Sequence, residues 1–315
     1  MKKSLKELMS GLIDYAGLFP PASLPLDKAI AEYLYYKKSE YSFPVSRFVV
    51  PASSVENLKT ICKEHNVKNI NLSVLLPEMG FDEKNENSIF KTIEDLSNII
   101  KSNPFIEATS YEIKLPQNLS TAEKENLLQL STKIISKVNK VNESSVIFFE
   151  PFVLDENWKS NIDIACDVIL QNKEKSGFKL RTGGVTKDAF PHTDIVAYAI
   201  KKCSELKIKF KATAGLHHPL RHFNTTINTK MHGFFNVFLG FLIAEKYSPS
   251  LEKIKEIINS ESPDKFNFSD DFITLENFAL SLSDIKKIKE TYHLSYGSCS
   301  IDEPIDDLKT LKLMK

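Results

Sequence analysis

The 315-residue chain carries 41 acidic and 41 basic side chains, so its formal net charge at pH 7 is zero. This balance provides no basic surface for nucleic acid or for an anionic membrane, and we expect neither as a partner. With 42% hydrophobic and 26% charged residues, the composition is typical of a globular protein, and the length suffices for one large domain or two ordinary ones.

The cysteines and the amino terminus indicate the cellular compartment in which we expect the protein. Cys62, Cys166, Cys203 and Cys299 are far apart and include no Cys-x-x-Cys pair, which fits a reducing compartment better than a disulfide framework or a zinc ribbon. The first residues lack the apolar core of a signal peptide. The longest apolar stretch, around 233–244, is shorter than the roughly 20 residues that span a bilayer. The sequence therefore predicts a cytoplasmic protein.

Strand-like and helix-like segments alternate from the first residues onward. Short apolar runs predict strands at Leu12–Phe19, Arg47–Pro51, Asn69–Leu76, Ile106–Leu115, Ser145–Val153, Phe178–Gly183 and Ile208–Gly215. Amphipathic segments predict helices at Leu26–Lys38, Ser54–His65, Ser88–Lys101, Ser120–Asn142, Asn157–Lys173 and Thr193–Leu206. One helix between successive strands indicates parallel pairing through right-handed crossovers.

The predicted fold class is α/β, a (β/α)8 TIM barrel forming a single domain over residues 1–315. In the fourth strand Ala108, Ser110, Glu112 and Lys114 share one face, and a barrel accommodates polar groups at the top of its interior. An open parallel sheet with a polar crevice is the alternative. An insertion at about 219–293 separates the seventh strand from the last, predicted at Leu294–Cys299. We expect this insertion to form a lid or the interface of a homo-oligomer.

Two strands carry lysines in an apolar pattern. Side chains two apart on a strand share a face, so Lys179 and Arg181 project together, as do Lys211 and Thr213. Charged residues rarely occupy buried strands unless they are paired or functional. Two such lysines on neighbouring strands indicate an amine-chemistry site, in which burial and nearby cations would lower the pKa of Lys179. A structural network with Glu112 and Glu150, or anion binding without covalent chemistry, are the alternatives.

These strands resemble those of the deoxyribose-phosphate aldolase family of class I aldolases. The segment Phe178–Gly184 is similar to that family's Phe-x-Lys-Thr-Ser-Thr-Gly strand, and Phe210–Leu216 is similar to its Val-Lys-Ala-x-Gly-Gly-Ile strand. Shorter parallels follow in chain order at Leu12–Tyr15, Phe149–Phe152 and Tyr296–Cys299. The presence of Arg181 and Gly184 and the long insertion depart from the family pattern.

The resemblance implies roles for individual residues. Lys179 would form the Schiff base with a carbonyl substrate, and Lys211 would assist it. Lys114 stands where the family has its acid/base aspartate, which places a cation there instead. Glu150 or His217 would move protons, and Asp14 is a buried carboxylate for which catalytic and structural roles are both open.

Histidines and glycines cluster at strand ends, the face that carries catalysis in TIM-barrel enzymes. His217, His218 and His222 could ligate a metal, transfer protons, or bind an anion together with Arg221. We expect no bound metal, because no carboxylate accompanies the cluster in sequence. Glycines at the predicted turns would offer backbone N–H groups to an anion. They are Gly183, Gly184, Gly215 and Gly297, and Ser298 follows the last of these.

The sequence thus predicts a class I aldolase-like lyase that acts on a small anionic substrate, a phosphate or a carboxylate, and needs no cofactor. A metal-dependent lyase or hydrolase built on the histidine loop is one alternative. A non-catalytic anion-binding barrel is the other.

Overall fold

Eight parallel strands close into a barrel in the computed structural model, which describes residues 1–117 and 123–314. The spatial order around the barrel is β1-β13-β7-β6-β5-β4-β3-β2, so the predicted TIM barrel is confirmed. Its strands are β1 Ile13–Tyr15, β2 Val45–Pro51, β3 Ile70–Leu75, β4 Ile106–Lys114, β5 Val146–Glu150, β6 Ser176–Arg181, β7 Lys209–Thr213 and, after the insertion that holds β8 to β12, β13 Ser295–Ser298.

Helices cover the outer face of the barrel because the strands turn apolar side chains outward. They are α1 Lys3–Met9, α2 Leu26–Lys38, α3 Val55–Glu64, α4 Glu83–Lys101, α5 Lys124–Val141, α6 Trp158–Leu170, α7 Thr193–Leu206, α8 Phe234–Tyr247, α9 Leu251–Asn259, α10 Leu282–Tyr292 and α11 Asp302–Thr310. In the part of the chain that the structure describes, none of these helices is both long and apolar enough to cross a membrane.

Two of the boundaries that differ from the predicted ones have a clear local cause. The first strand is only three residues long, because the chain turns after Ala16 and reaches two prolines that cannot donate to a strand ladder. Helix α4 begins at Glu83 and not at Ser88, since the Asp82 side chain accepts a hydrogen bond from the backbone N–H of Asn85 and caps the helix there. The predicted helix start at Ser120 lies outside the described residues.

The segment between β7 and β13 adds a small layer to one side of the barrel. It contains a hairpin of β8 His222–Asn224 and β9 Thr229–Met231, the helices α8 to α10, and an antiparallel sheet of β10 Phe266–Phe268, β11 Phe272–Leu275 and β12 Phe278–Ser281. Helix α8 is buried from Phe234 to Ala244. Phe238 packs against Tyr296 of β13 with ring centroids 5.6 Å apart, so the insertion is anchored in the barrel wall.

We expect Phe238→Ala to lower the free energy of unfolding by about 3–5 kcal/mol, because it leaves a cavity at a site with no solvent exposure. Phe223→Ala is the matched control, since that phenylalanine is 51% exposed on the hairpin and its loss should change stability by no more than about 0.5 kcal/mol. Urea unfolding followed by circular dichroism measures both values. Equal midpoints for the two variants would contradict this packing.

Candidate active site inside the barrel

Two lysines lie side by side in the barrel interior. Lys179 of β6 and Lys211 of β7 are paired in register, and alternation along the strands directs both inward. The Lys179 side chain is 4% exposed and that of Lys211 is 1% exposed. The Lys179 Nζ lies 2.6 Å from Glu112 Oε2 and 2.7 Å from Glu150 Oε2. Lys179 is thus held between two carboxylates.

Glu112 of β4 bridges the two lysines. Its other oxygen, Oε1, lies 2.5 Å from the Lys211 Nζ and accepts a 2.5 Å hydrogen bond from the Ser73 hydroxyl. Lys211 also donates to Asp14 Oδ2 at 2.6 Å and to the Ser73 Oγ at 3.0 Å. One carboxylate therefore connects both amines, and any change of charge on one lysine is felt by the other.

An arginine closes each end of this group. At the carboxyl ends of the strands, the Arg181 Nε donates to Glu150 Oε1 at 2.8 Å. At the opposite end, the Arg47 Nη1 lies 3.2 Å from Asp14 Oδ1. We call the resulting chain of alternating charges the ionic relay, consisting in order of Arg181, Glu150, Lys179, Glu112, Lys211, Asp14 and Arg47.

The ionic relay favours the charged forms of Lys179 and of its three carboxylates. Burial alone would lower the pKa of Lys179, but the carboxylates of Glu112 and Glu150 outweigh it and raise that pKa above its ordinary value. Burial opposes ionisation of the carboxyls too, yet the lysines lower the pKa of Glu112 and Glu150, and Lys211 and Arg47 do the same for Asp14. The predicted burial of Lys179 is confirmed. The predicted lowering of its pKa is wrong, because the Glu112 and Glu150 carboxylates lie within 2.7 Å of its Nζ and favour the ammonium form.

A cavity of about 260 Å³ opens above Lys179 at the carboxyl ends of the strands. Among the predicted site residues, six line this cavity: Lys179, Arg181, Gly184, Gly215, His217 and Gly297. Glu112 also lines it, while Lys211 and Asp14 lie below, in the fully buried part of the barrel. Of the two predicted reactive lysines, Lys179 is therefore the one that faces the cavity.

A tight turn shapes the wall of the cavity after β7. Ala214 has φ +62° and Gly215 has φ +74°, a region that alanine seldom occupies. The Thr182 hydroxyl donates to the Ala214 carbonyl at 2.6 Å and holds this conformation. A Cβ on Gly183 would lie 2.9 Å from the Gly215 Cα. Gly183 thus serves the close approach of the two strand ends and does not line the cavity.

Lys114 is not where the sequence placed it. Its side chain is exposed at the barrel rim, where it lines a smaller cavity of about 120 Å³ together with Glu150 and Arg181. The interior position that its strand face predicts for Lys114 is wrong, because β4 ends at this residue and its side chain is exposed. Glu112, two residues earlier on the same face, holds the position between the lysines. Sequence reasoning placed Glu112 on the inward face but did not select it as a site residue.

The two histidines that follow β7 point in different directions. His217 lines the main cavity, and its Nδ1 lies 2.7 Å from Glu303 Oε2. His218 faces away, with its Nδ1 2.5 Å from Asp307 Oδ2. No carboxylate accompanies the cluster in sequence, but in the folded chain α11 supplies one to each of these two histidines. Even so, no three His, Cys, Asp or Glu side chains within 1–117 and 123–314 are arranged to hold a metal ion.

The remaining predicted anion-binding residues have local partners. His222 stacks edge-on against His218, with ring centroids 4.4 Å apart. The Arg221 Nη1 contacts the His232 Nδ1 at 3.2 Å, and burial lowers the pKa of Arg221. The Ser298 hydroxyl donates to the Ser300 carbonyl at 2.7 Å. The structure does not bring these three side chains into the main cavity.

Comparisons with known proteins give distant similarities only. No protein-family profile matches the sequence, and no curated protein matches it significantly. Among solved structures, an aldolase designated QR15 is similar over 67% of this chain and 83% of its own, with 14% identity and a TM-score of 0.44. A Toxoplasma gondii ME49 protein assigned as a deoxyribose-phosphate aldolase is similar over 92% and 97%, with 14% identity and a TM-score of 0.46.

A further similar structure is the 3-keto-D-glucoside 4-epimerase YcjR of E. coli, with 12% identity, coverage of 78% and 96%, and a TM-score of 0.44. The resemblance to aldolases predicted from the strand motifs is thus confirmed as a distant similarity. At these identities and scores it carries no argument about the reaction.

The charges of the ionic relay predict how stability depends on pH. Carboxyls with lowered pKa contribute stability above their ordinary values of 3.8 and 4.5, and that contribution is lost as the pH falls through the lower folded-state values. Lys179, with a raised pKa, contributes below 10.5 and loses that contribution as the pH rises through its higher folded-state value. Urea unfolding should therefore give its highest free energies between these limits.

Glu150→Gln should weaken the acid-side loss of stability, because this carboxyl then no longer takes up a proton on unfolding. Asp167→Asn is the control, since Asp167 forms a half-exposed surface pair with Lys124. An acid-side slope that is unchanged in Glu150→Gln would contradict the inferred charge state.

Proposed function

We propose that the protein is a class I lyase in which Lys179 forms a Schiff base with a small anionic carbonyl compound and a carbon–carbon bond is then cleaved or formed. The observation that carries this proposal is the position of the Lys179 amine: it faces a cavity and touches two carboxylates that can accept its proton. An amine, an acid/base group and a space for substrate are what such a reaction requires.

The raised pKa of Lys179 means that the resting residue is an ammonium ion. Its proton has a short path to Glu112, 2.6 Å away. Lys211 also contacts Glu112 and lowers its pKa, so Glu112 holds a transferred proton only briefly and returns it readily. Transfer of this proton to Glu112 as the carbonyl compound binds leaves Lys179 as a neutral nucleophile.

The remaining steps balance with the groups present. The Lys179 Nζ attacks the carbonyl carbon, and the oxygen that becomes a hydroxyl leaves as water after Glu112 returns the proton. The cationic iminium that results lies beside the Glu150 carboxylate, which stabilises its charge. A base then removes the proton of the substrate's β-hydroxyl, the carbon–carbon bond breaks, and its electron pair forms an enamine while an aldehyde leaves.

His217 is the base we assign to this cleavage. It lines the cavity, and Glu303 at its Nδ1 favours the tautomer in which Nδ1 carries the proton and Nε2 carries the lone pair. Protonation of the enamine carbon and addition of water to the iminium then release the second product and restore Lys179. The histidine cluster thus contributes to the proposed reaction through one member.

Borohydride reduction in the presence of pyruvate should attach the ligand covalently to Lys179, because the reductant converts an iminium into a stable amine. Peptide mapping by mass spectrometry identifies the modified residue. Lys179→Met should abolish the adduct, whereas Lys114→Met, which removes an exposed lysine at the rim, should leave it intact. An adduct that persists in Lys179→Met would contradict the assignment.

Glu112→Gln should slow adduct formation by about 10²–10⁴-fold, the usual contribution of a general acid or base, because the amide cannot accept the Lys179 proton. Glu112→Asp retains a carboxylate and should be slowed less. A faster reaction in Glu112→Gln would show that Glu112 only restrains the ammonium, and that outcome would oppose the proposed proton transfer. Circular dichroism verifies that both variants are folded.

A further inference from the structure

We infer that the ligand of the main cavity is a short 2-oxo carboxylic acid with a compact apolar side chain. This inference rests on the proposed function for the carbonyl group, and on the two walls of the cavity for the rest of the molecule. One wall carries a cationic group beside Lys179. The opposite wall is apolar, and the two together select a ligand with a charged end and an apolar end.

Arg181 forms the cationic wall. Its Nε binds Glu150, while within the described residues no hydrogen bond or ion pair engages its Nη1 or Nη2. The side chain is 35% exposed and lines the cavity. Guanidinium groups with two free donors bind carboxylates in a bidentate manner. Arg181 is thus available to an anionic group of the ligand.

The spacing of Lys179 and Arg181 limits how far that anionic group can be from the carbonyl carbon. The two residues are neighbours on the inward face of β6, about 6.6 Å apart along the strand at roughly 3.3 Å per residue. A carbon bonded to the Lys179 Nζ therefore lies near the Arg181 guanidinium. A carboxylate attached directly to that carbon fits this distance better than an anion at the far end of a long chain.

The apolar wall comes from the other side of the barrel mouth. Phe19 lies on the loop after β1, Val49 on β2 and Leu75 on β3, and all three line the cavity with Ala16 and the prolines at 20 and 21. Val49 is 5% exposed. A ligand whose carboxylate contacts Arg181 directs its side chain toward this wall, where each buried CH₂ group should tighten binding about fourfold.

Calorimetric titration with 2-hydroxy acids tests this wall without any Schiff base, since a hydroxy acid has no carbonyl group for Lys179 to attack. We expect 2-hydroxy-4-methylpentanoate to bind at least about tenfold more tightly than lactate. Phe19→Ser and Val49→Thr should each reduce that preference. Because two variants are measured, the test still stands if one of them does not fold. Val67→Thr, at a partly buried valine outside the cavity, should retain it.

The anionic end is tested with Arg181→Gln, which should weaken both hydroxy acids by about 10- to 100-fold, as expected for loss of a charged hydrogen bond. In wild type, a phosphate-bearing carbonyl compound, dihydroxyacetone phosphate, should be trapped on Lys179 by borohydride less efficiently than 4-methyl-2-oxopentanoate. The reverse order would overturn the carboxylate assignment.

Equal affinity for lactate and 2-hydroxy-4-methylpentanoate would overturn the apolar-wall assignment even if Lys179 is trapped by pyruvate. Conversely, a clear preference for the longer acid would support the ligand class. If no carbonyl compound is trapped at the same time, the lyase proposal is contradicted. The two ideas thus fail separately.

Discussion

Lys179 and Lys211 share the carboxylate of Glu112 inside a closed barrel, and the arrangement of the site depends on that contact. Barrel interiors are usually packed with branched apolar side chains, whereas this one contains a row of ions. Burying ions is costly unless each has a partner. The relay provides these partners by alternating the sign of charge from Arg181 to Arg47, so removal of one member leaves a buried charge uncompensated.

The same alternation stabilises a buried amine and places beside it the proton acceptor that the proposed reaction needs. Two carboxylates keep Lys179 protonated at rest, and their negative charges compensate the buried ammonium in the folded protein. In the proposed reaction, proton transfer within the Lys179–Glu112 pair changes no net charge and requires no water from outside. The anchored insertion and the turn held by Thr182 fix the strand ends around the cavity, so the Lys179–Glu112 pair lies next to one defined space.

The barrel and the common face of the two lysines could be predicted from the sequence. The wrong predictions about individual site residues have physical reasons. Strand parity was enough to place Lys179 and Lys211 on one face and to predict closure. It could not give the height of each residue inside the barrel, because the β3–β4 pairing shifts register between Leu72 and Ser73. The family resemblance placed Lys114 at the acid/base position, whereas Glu112 is the residue that lies between the two lysines. The carboxylates beside His217 and His218 lie 86 and 89 residues away. Glu303 and Asp307 are four residues apart and therefore lie on one face of α11, where they contact the two adjacent histidines. That spacing was the signal in the sequence for this contact. Arg47 was the first residue of the predicted strand but is the third residue of β2, and nothing in the sequence signalled its contact with Asp14.

The most direct test of the central claim is a crystal structure of the protein reduced with borohydride in the presence of 4-methyl-2-oxopentanoate. Our account predicts continuous electron density from the Lys179 Nζ to the ligand's second carbon, with the carboxylate at Arg181 and the branched side chain against Phe19 and Val49. Density for an adduct on another lysine, or an unmodified Lys179 still bound by Glu112 and Glu150 beside a ligand in the cavity, would contradict it.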